Sequence, residues 1–203
     1  MAAKFWRRLF ARLPIARSTR AYAFGLQHVA PLPPGPVLDI GAGQGFGAAH
    51  LSRALAPRPV VSIDIELGCL KPAHQEAGPV PPRFVLASAT DLPFAAESFA
   101  LAAAVMTFHC LPQPQRVFRE VYRALRPGGV FLVADVDGHH WMARPFEVVE
   151  HWFISPLTRA YTPEDLTALA RAAGFAETQV YRRPNKARGF MQWFVARKVA
   201  PAS

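Results

Sequence analysis

The sequence is poor in cysteine and contains no long apolar run. Its two cysteines, Cys69 and Cys110, lie far apart and form no C-x-x-C pair, which disfavours both a disulfide scaffold and a zinc site. No apolar run approaches the ~20 residues that a membrane-spanning helix needs. We therefore expect a cytoplasmic protein without bound metal, and its 203 residues suffice for one large domain.

Acidic residues are missing from both ends of the chain. Six basic residues precede Asp39 and six follow Glu177, and neither end contains an acid. Residues 39–177 hold 11 basic and 14 acidic residues, so the net charge of +9 comes from the ends. Such ends attract an anionic partner such as a membrane surface, a nucleic acid or an acidic substrate.

The strongest positive signal is a strand followed by three glycines at alternate positions. The apolar run 37–40 leads into Gly41, Gly43 and Gly45, and a helix-forming stretch follows directly. Such a turn lets a ligand approach bare backbone at a helix N-terminus. The next apolar run ends in Asp64, where a carboxylate can accept hydrogen bonds from a ribose diol. Together these features predict a nucleoside cofactor.

The kind of nucleoside depends on the glycine frame and on Asp39. Counted from Gly41, the dinucleotide pattern G-x-G-x-x-G fails because Phe46 stands at its last position. Counted from Gly43, the looser G-x-G-x-x-A form fits with Ala48. A buried acid such as Asp39 is costly unless its oxygens are paired. We expect it to accept hydrogen bonds from the glycine turn or to bind a cationic group of the ligand.

The D-x-G-x-G-x-G pattern of residues 39–45 resembles the first motif of the class I S-adenosylmethionine-dependent methyltransferases. The resemblance covers residues 37–198 and includes the segments 90–99, 105–111, 118–129 and 161–175. It is greatest to the small type 11 group, which methylates quinones, lipids and diverse small molecules. The resemblance implies S-adenosyl-L-methionine as cofactor and a small or lipid-like methyl acceptor.

The order of predicted elements indicates an α/β fold. We predict helices at 4–12, 18–30, 46–56, 67–75, 113–126, 140–153 and 163–173, and strands at 36–40, 59–64, 83–87, 99–106, 130–136, 175–182 and 190–198. This alternation predicts a doubly wound, Rossmann-like sheet of seven mostly parallel strands with an antiparallel hairpin at one edge. We expect an N-terminal helical cap or lid over residues 1–35 and a methyltransferase domain over residues 36–203.

The N-terminal segment is amphipathic, with its apolar residues on one helical face and its arginines elsewhere. Its apolar face consists of Phe5, Trp6, Leu9, Phe10 and Leu13. Three interpretations remain open: a helix packed as a lid over the cofactor pocket, peripheral contact with a membrane, and contact with nucleic acid.

The expected cofactor site lies beyond the carboxyl ends of the parallel strands. The resemblance implies that Asp39 and the glycine turn hold the amino-acid end of the cofactor, Asp64 the ribose and Ile65 one face of the adenine. The expected contact set is Asp39, Gly41, Ala42, Gly43, Gly45, Asp64, Ile65, Ser88, Ala89 and Thr107.

Two positions depart from the pattern of the family. Ser88 stands where an Asp commonly accepts a hydrogen bond from the adenine amino group, and Asp91 could substitute for it. A neutral acceptor at Ser88 lowers the affinity for the cofactor by up to ~tenfold. Ala100 stands where an Asp has a structural role.

Methyl transfer from a sulfonium requires alignment above all, and a base only where the acceptor is protonated at neutral pH. His109 is the first candidate for this base, followed by His139, His140 and Tyr161. A metal site of Asp137, His139 and His140 is disfavoured because the three are adjacent and no distant ligand is evident. Four aromatic residues either line an apolar substrate pocket or form the core face of a helix, namely Trp141, Phe146, Trp152 and Phe153.

Two other functions stay open. The basic ends are compatible with an RNA methyltransferase, although His109-Cys110-Leu111-Pro112 stands where such enzymes carry a tetrad such as N-P-P-Y. Ser88 and Ala100 suggest a methyltransferase-like binding protein without catalysis. A nicotinamide-dependent dehydrogenase is disfavoured by the failed glycine frame at Gly41.

Overall fold

The computed structural model of the chain describes residues 19–66, 79–153, 155–183 and 189–199, with the side chain of Phe153 left out. The predicted helices at 4–12 and 67–75 lie outside these residues. Among the residues that are described, no helix is long and apolar enough to cross a bilayer.

The described residues form a seven-stranded mixed sheet. Its strands are β1 (Val37–Ile40), β2 (Val60–Asp64), β3 (Arg83–Leu86), β4 (Phe99–Val105), β5 (Leu125–Val136), β6 (Glu177–Tyr181) and β7 (Met191–Arg197). The order across the sheet is β3-β2-β1-β4-β5-β7-β6. Strands β1 to β5 pair in parallel, and β7 is antiparallel to both β5 and β6. The predicted doubly wound sheet with an antiparallel edge hairpin is therefore confirmed.

Helices cover both faces of the sheet. They are α1 (Thr19–Leu26), α2 (Phe46–Ala54), α3 (Pro114–Ala124), α4 (Ala143–Phe153) and α5 (Pro163–Ala173), with a short 3₁₀ helix at Phe108–Cys110. Strands β1 and β4 are buried along their whole length, as expected for central parallel strands covered on both sides. One core cluster includes Phe118 and Phe131, and the other includes Leu51 and Trp193.

Helix α1 belongs to the same core as the sheet, although it lies in the segment predicted to be a cap. Its residues Ala21 and Tyr22 are buried in one cluster with Val37 of β1. The indole of Trp193 on β7 donates a hydrogen bond to the Ala21 carbonyl at 2.8 Å. The described part of the cap thus helps to form the domain, and its role as a lid stays a prediction.

Two boundaries differ from the prediction for reasons of backbone geometry. Strand β5 begins at Leu125 rather than at residue 130, because Leu125 pairs with Phe99 ahead of an irregularity in the β4–β5 ladder. The Pro-Gly-Gly run lies at this irregularity, where Gly128 has a φ of 77°. Strand β6 begins at Glu177 rather than at residue 175, because the amide of Phe175 still bonds to the Ala170 carbonyl of α5 (3.0 Å).

Candidate active site

The carboxyl ends of β1 to β5 meet at one edge of the sheet, where the sequence predicts the site. The amides of Gly41 and Ala42, which follow β1, both donate to the Ile63 carbonyl of β2 at 2.9 Å. At the end of β4, the Met106 amide donates to the Ala134 carbonyl of β5 at 2.8 Å. These bonds hold the loops after the strands side by side.

The glycine turn has a tightly packed base and an open tip. Gly41 has a φ of 83°, and a Cβ built on it would lie 2.3 Å from Oγ1 of Thr107. Gly41 is therefore required so that the β1 loop can pack against the β4 loop. Gly43 has a φ of 50°, and a Cβ built on it would meet nothing within 4 Å. The tip thus offers backbone to a ligand on its open side.

Asp64 contacts the glycine turn, so the two features that predicted a nucleoside cofactor lie side by side. Its Oδ2 accepts a hydrogen bond from the Gly43 amide at 2.9 Å, and its Oδ1 accepts one from the Glu66 amide at 3.1 Å. A carboxylate has about four acceptor positions, so these two bonds leave capacity for the hydroxyls of a ribose. Asp64 therefore both fixes the tip of the turn and can bind a diol.

Asp39 lies beneath the turn rather than on its surface. It is 1% exposed, and its oxygens accept hydrogen bonds from the Tyr22 hydroxyl (2.8 Å) and from Ser62 Oγ (2.7 Å). Burial raises the pKa of Asp39 from 3.8 to about 6, although the two hydroxyl bonds oppose this shift. Its bonds in the described structure therefore come from hydroxyls of α1 and β2, whereas the sequence led us to expect the amides of the turn or a cationic ligand.

Sequence reasoning missed both partners of Asp39. Ser62 had a signal, because it is the third residue of β2 and pairs in register with Asp39, the third residue of β1. A polar residue at the same place in two adjacent buried strands indicates a contact between them. No pattern in the sequence connects Tyr22 to β1, since that contact depends on how α1 packs.

The expected adenine side of the site lies after β2 and β3. Ile65 is 70% exposed at the sheet edge, whereas Ala89 is buried. The hydroxyl of Ser88 bonds to Thr90 Oγ1 at 2.8 Å and also accepts from the Thr90 amide at 3.2 Å. Ser88 is thus held within its own loop, and Asp91 beside it is exposed.

His109 is buried between two carboxylates. Its Nδ1 lies 2.7 Å from Asp135 Oδ1, its backbone amide donates to Asp135 Oδ2 at 3.0 Å, and its Nε2 lies 3.8 Å from Glu150 Oε2. Burial lowers the pKa of His109, but the charge and the hydrogen bond of Asp135 outweigh it and raise the pKa well above 6.5. Sequence reasoning placed Asp135 on the rim without a role and missed Glu150.

The other predicted bases have different partners. His139 is exposed, and its Nε2 lies 2.7 Å from Glu164 Oε2. His140 accepts a hydrogen bond from the Met142 amide at 3.2 Å through Nδ1. Asp137 is buried and forms an ion pair of 2.6 Å with Arg182. The side chains of these three residues thus have different partners, although Oδ1 of Asp137 also accepts a hydrogen bond from the His139 backbone amide at 3.0 Å.

Tyr161, the remaining predicted base, is 8% exposed and packs its ring against Phe108. Burial raises the pKa of its hydroxyl above 10.0.

Helix α4 presents apolar side chains to the outside. Phe146 packs its ring against His109 at 5.2 Å, whereas Trp141 and Trp152 are each 77% exposed. We call the exposed apolar residues on and around α4 the α4 surface; they are Trp141, Val148, Val149, Trp152 and Leu157. Neither tryptophan is therefore part of a core face.

The chain is similar to known methyltransferases in both sequence and fold. Residues 38–133 match the sequence model of a family described as methyltransferase domain. A solved SAM-dependent methyltransferase from Thermotoga maritima has a TM-score of 0.73 at 24% identity, over 97% of each chain. This likeness shows the fold.

Two named relatives match part of the chain. The phthiotriol/phenolphthiotriol dimycocerosates methyltransferase of Mycobacterium tuberculosis strain H37Rv is 37% identical over 107 residues, which cover 53% of this chain and 40% of the relative. The fatty-acid O-methyltransferase of Mycolicibacterium smegmatis is 34% identical over 119 residues, which cover 57% of this chain and 40% of the relative. The chain thus spans about two fifths of the length of the relatives it matches.

Proposed function

Because residues 38–133 match a family described as methyltransferase domain, we propose that the chain transfers a methyl group from S-adenosyl-L-methionine to a small, lipid-like acceptor. The observation that carries the proposal is the Gly43–Asp64 contact of 2.9 Å at the open tip of the glycine turn. When bound, the cofactor supplies an electrophilic methyl group on a sulfonium.

The cofactor roles follow the positions of the side chains. We assign Asp64 to the ribose, Ile65 and Ala89 to the adenine faces, and Ser88 to the adenine edge. The turn from Gly41 to Gly45, including Ala42, holds the amino-acid end together with Thr107. Asp39 is too deeply buried for direct contact with the cofactor. Its negative charge, beneath the turn, instead attracts the cationic ammonium of the cofactor's amino-acid end.

The proposed acceptor is lipid-like for two reasons. Two relatives are named for lipid substrates, namely phthiotriol dimycocerosates and fatty acids. The α4 surface is apolar and exposed on the same helix that supplies Phe146 and Glu150 to His109. Helix α4 can therefore lead an apolar chain from its outer face toward the sheet edge.

The surroundings of His109 bear on the acceptor atom. The carboxylates of Asp135 and Glu150 raise the pKa of His109 and so favour its protonated form, which cannot accept a proton from the acceptor. We therefore propose an acceptor oxygen that is already ionised at neutral pH, as in a carboxylic acid. For an acceptor that carries a proton, His109, His139 and His140 remain the predicted bases.

We further propose that the protein takes this acceptor from an anionic membrane surface on the cytoplasmic side. The basic ends supply the positive charge, and the α4 surface and the predicted helix 4–12 supply apolar contacts. Sedimentation with vesicles of anionic or neutral lipid tests this contact, and equal recovery with both compositions would contradict it.

The activity is tested by incubating the protein with labelled S-adenosyl-L-methionine and three acceptors of equal chain length: a fatty acid, a fatty alcohol and a fatty amine. We expect methyl ester formation from the fatty acid and little product from the alcohol. A structured RNA serves as the competing acceptor. Label in the RNA alone would favour the RNA methyltransferase, and tight cofactor binding without any product would favour the binding protein.

A further inference from the structure

Three side chains with different donor atoms converge where the β4 loop meets α4. A ring nitrogen of His109, Sγ of Cys110 and a carboxylate oxygen of Glu150 all lie within 4.8 Å of one another. Because Nδ1 of His109 is bonded to Asp135, Nε2 is the ring nitrogen that remains, and it lies 3.8 Å from Glu150 Oε2. No pattern in the sequence groups Glu150 with the other two.

We propose that His109, Cys110 and Glu150 form a zinc site with an open fourth position. Imidazole, thiolate and carboxylate are the three kinds of ligand that zinc takes from proteins, and a thiolate disfavours magnesium and calcium. Zinc bonds of 2.0–2.3 Å place tetrahedral ligands about 3.5 Å apart. His109 and Glu150 are already near this separation, and the widest pair closes with a shift of about 1 Å.

The surroundings of His109 resemble those of a metal-binding histidine. Asp135 accepts hydrogen bonds from both the ring Nδ1 (2.7 Å) and the backbone amide (3.0 Å) of His109. Its Oδ1 also accepts from the Val136 amide at 2.8 Å, which fixes the carboxylate. A carboxylate bonded to the second ring nitrogen orients an imidazole and strengthens it as a metal ligand. Asp135 thus aims Nε2 toward Glu150.

The charge and the access of the site also suit a divalent cation. When zinc binds, it replaces the proton on Nε2 of His109 and the proton of the Cys110 thiol, and the thiolate and the Glu150 carboxylate then balance its two positive charges. Cys110 and Glu150 are both partly exposed, so an ion and its fourth ligand can enter from solvent. That fourth ligand is water or an acceptor oxygen; its use by the acceptor rests on the proposed function, whereas binding of the ion does not.

Metal binding is tested on tag-free, metal-stripped protein without cofactor or acceptor. Zinc affinity is measured by competition with a chromophoric chelator, and cobalt is added separately because a thiolate ligand gives it a charge-transfer band. The variants are Cys110→Ser and Glu150→Gln, and the matched controls are Cys69→Ser and His139→Ala. Asp135→Asn tests the orienting carboxylate, and circular dichroism checks the folding of every variant.

We expect one zinc ion per chain and a cobalt charge-transfer band in the wild type and in both controls. Cys110→Ser removes the band, Glu150→Gln weakens zinc binding at least tenfold, and Asp135→Asn weakens it 10- to 100-fold. Wild-type binding no tighter than that of Cys110→Ser, or cobalt binding without the thiolate band, would overturn the proposal. Because the assay contains no S-adenosyl ligand, its failure leaves the proposed methyl transfer unaffected.

Discussion

The hydroxyl of Tyr22 donates a hydrogen bond of 2.8 Å to the carboxylate of Asp39 and so joins α1 to the strand that carries the glycine turn. Gly47 of α2 leaves room for this contact, because a Cβ built on it would lie 2.3 Å from the Tyr22 hydroxyl. The buried acid of the cofactor motif is thus stabilised by a helix that precedes the motif in the chain.

Replacing Tyr22 with Phe removes this bond and leaves the ring in place. A hydrogen bond to a charged group contributes about 1.5–3 kcal/mol, so we expect the free energy of unfolding to fall by about 2 kcal/mol at pH 8. At pH 5 the loss is smaller because Asp39 is then largely protonated. Urea denaturation at both pH values measures the change. The control is Tyr181→Phe, whose hydroxyl bonds to the exposed Gln179, and an equal loss in the control would contradict the account.

Asp39 makes stability depend on pH in a defined direction. Its pKa is about 6 in the folded chain against 3.8 as the ordinary value, so the folded state binds the proton more tightly. The resulting stabilisation is complete below pH 3.8 and is lost as the pH rises through about 6. A shift of about two units corresponds to roughly 3 kcal/mol. Relative to Asp39→Asn, the wild type should therefore lose stability between pH 4 and pH 7.

The measurement is the free energy of unfolding of both proteins across this range. Comparison with Asp39→Asn cancels the contributions of the other titrating groups. Parallel profiles for the two proteins would mean that the carboxyl titrates alike in the folded and unfolded states.

Gly41→Ala should mainly lower stability, whereas Gly43→Ala should mainly weaken cofactor binding. At Gly41 the new Cβ would meet Thr107 at 2.3 Å, so we expect a loss of stability above 2 kcal/mol. At Gly43 no atom lies within 4 Å, so only the left-handed backbone opposes the change, at about 1 kcal/mol. Gly43→Ala should instead weaken cofactor binding, because the methyl group enters the space proposed for the cofactor.

Thermal unfolding and titration with S-adenosylhomocysteine separate the two effects. Thr107→Gly in the Gly41→Ala background should restore part of the stability, since it removes the clashing side chain. Equal losses of stability at the two glycines would argue against the packing described for the turn.

Trp152 tests the α4 surface as the route of the acceptor. We expect Trp152→Ser to raise the KM for a long-chain fatty acid by about tenfold, because burying a large apolar side chain contributes about 1.5–3 kcal/mol. Affinity for S-adenosylhomocysteine should not change. Val199→Ser, at an exposed position beyond β7, is the control. A KM that depends equally on Val199 and Trp152 would point to a general effect of surface hydrophobicity.

The sequence predicted the parts of the molecule that depend on local pattern and on the geometry of parallel sheets. The glycine turn and Asp64 were expected at one sheet edge, because each lies at the carboxyl end of a parallel strand. The hydrogen bond from the Gly43 amide to Asp64 shows that they are in contact. The edge hairpin of β6 and β7 followed from two strand patterns without a helix between them.

Other features depend on packing that periodicity does not encode. The contact of Tyr22 with Asp39 requires the orientation of α1 on the sheet. On α4, Phe146 and Glu150 face His109, while Val148 and Trp152 face outward, so the apolar pattern of the helix did not identify its inner face. The sequence argued against a zinc site because its two cysteines lie far apart without a C-x-x-C pair, and only the fold brings Glu150 near Cys110.

The proposed methyl transfer requires that the glycine turn and Asp64 bind an S-adenosyl cofactor. Calorimetric titration with S-adenosylmethionine and S-adenosylhomocysteine tests it most directly, with NADH as the control ligand. We use Asp64→Ala beside the wild type and Glu177→Ala, which removes an exposed acid from β6, as the control variant. We expect micromolar binding of both S-adenosyl ligands to the wild type and to Glu177→Ala, at least tenfold weaker binding to Asp64→Ala, and no binding of NADH. Absence of S-adenosyl binding, or equal binding by Asp64→Ala, would contradict it.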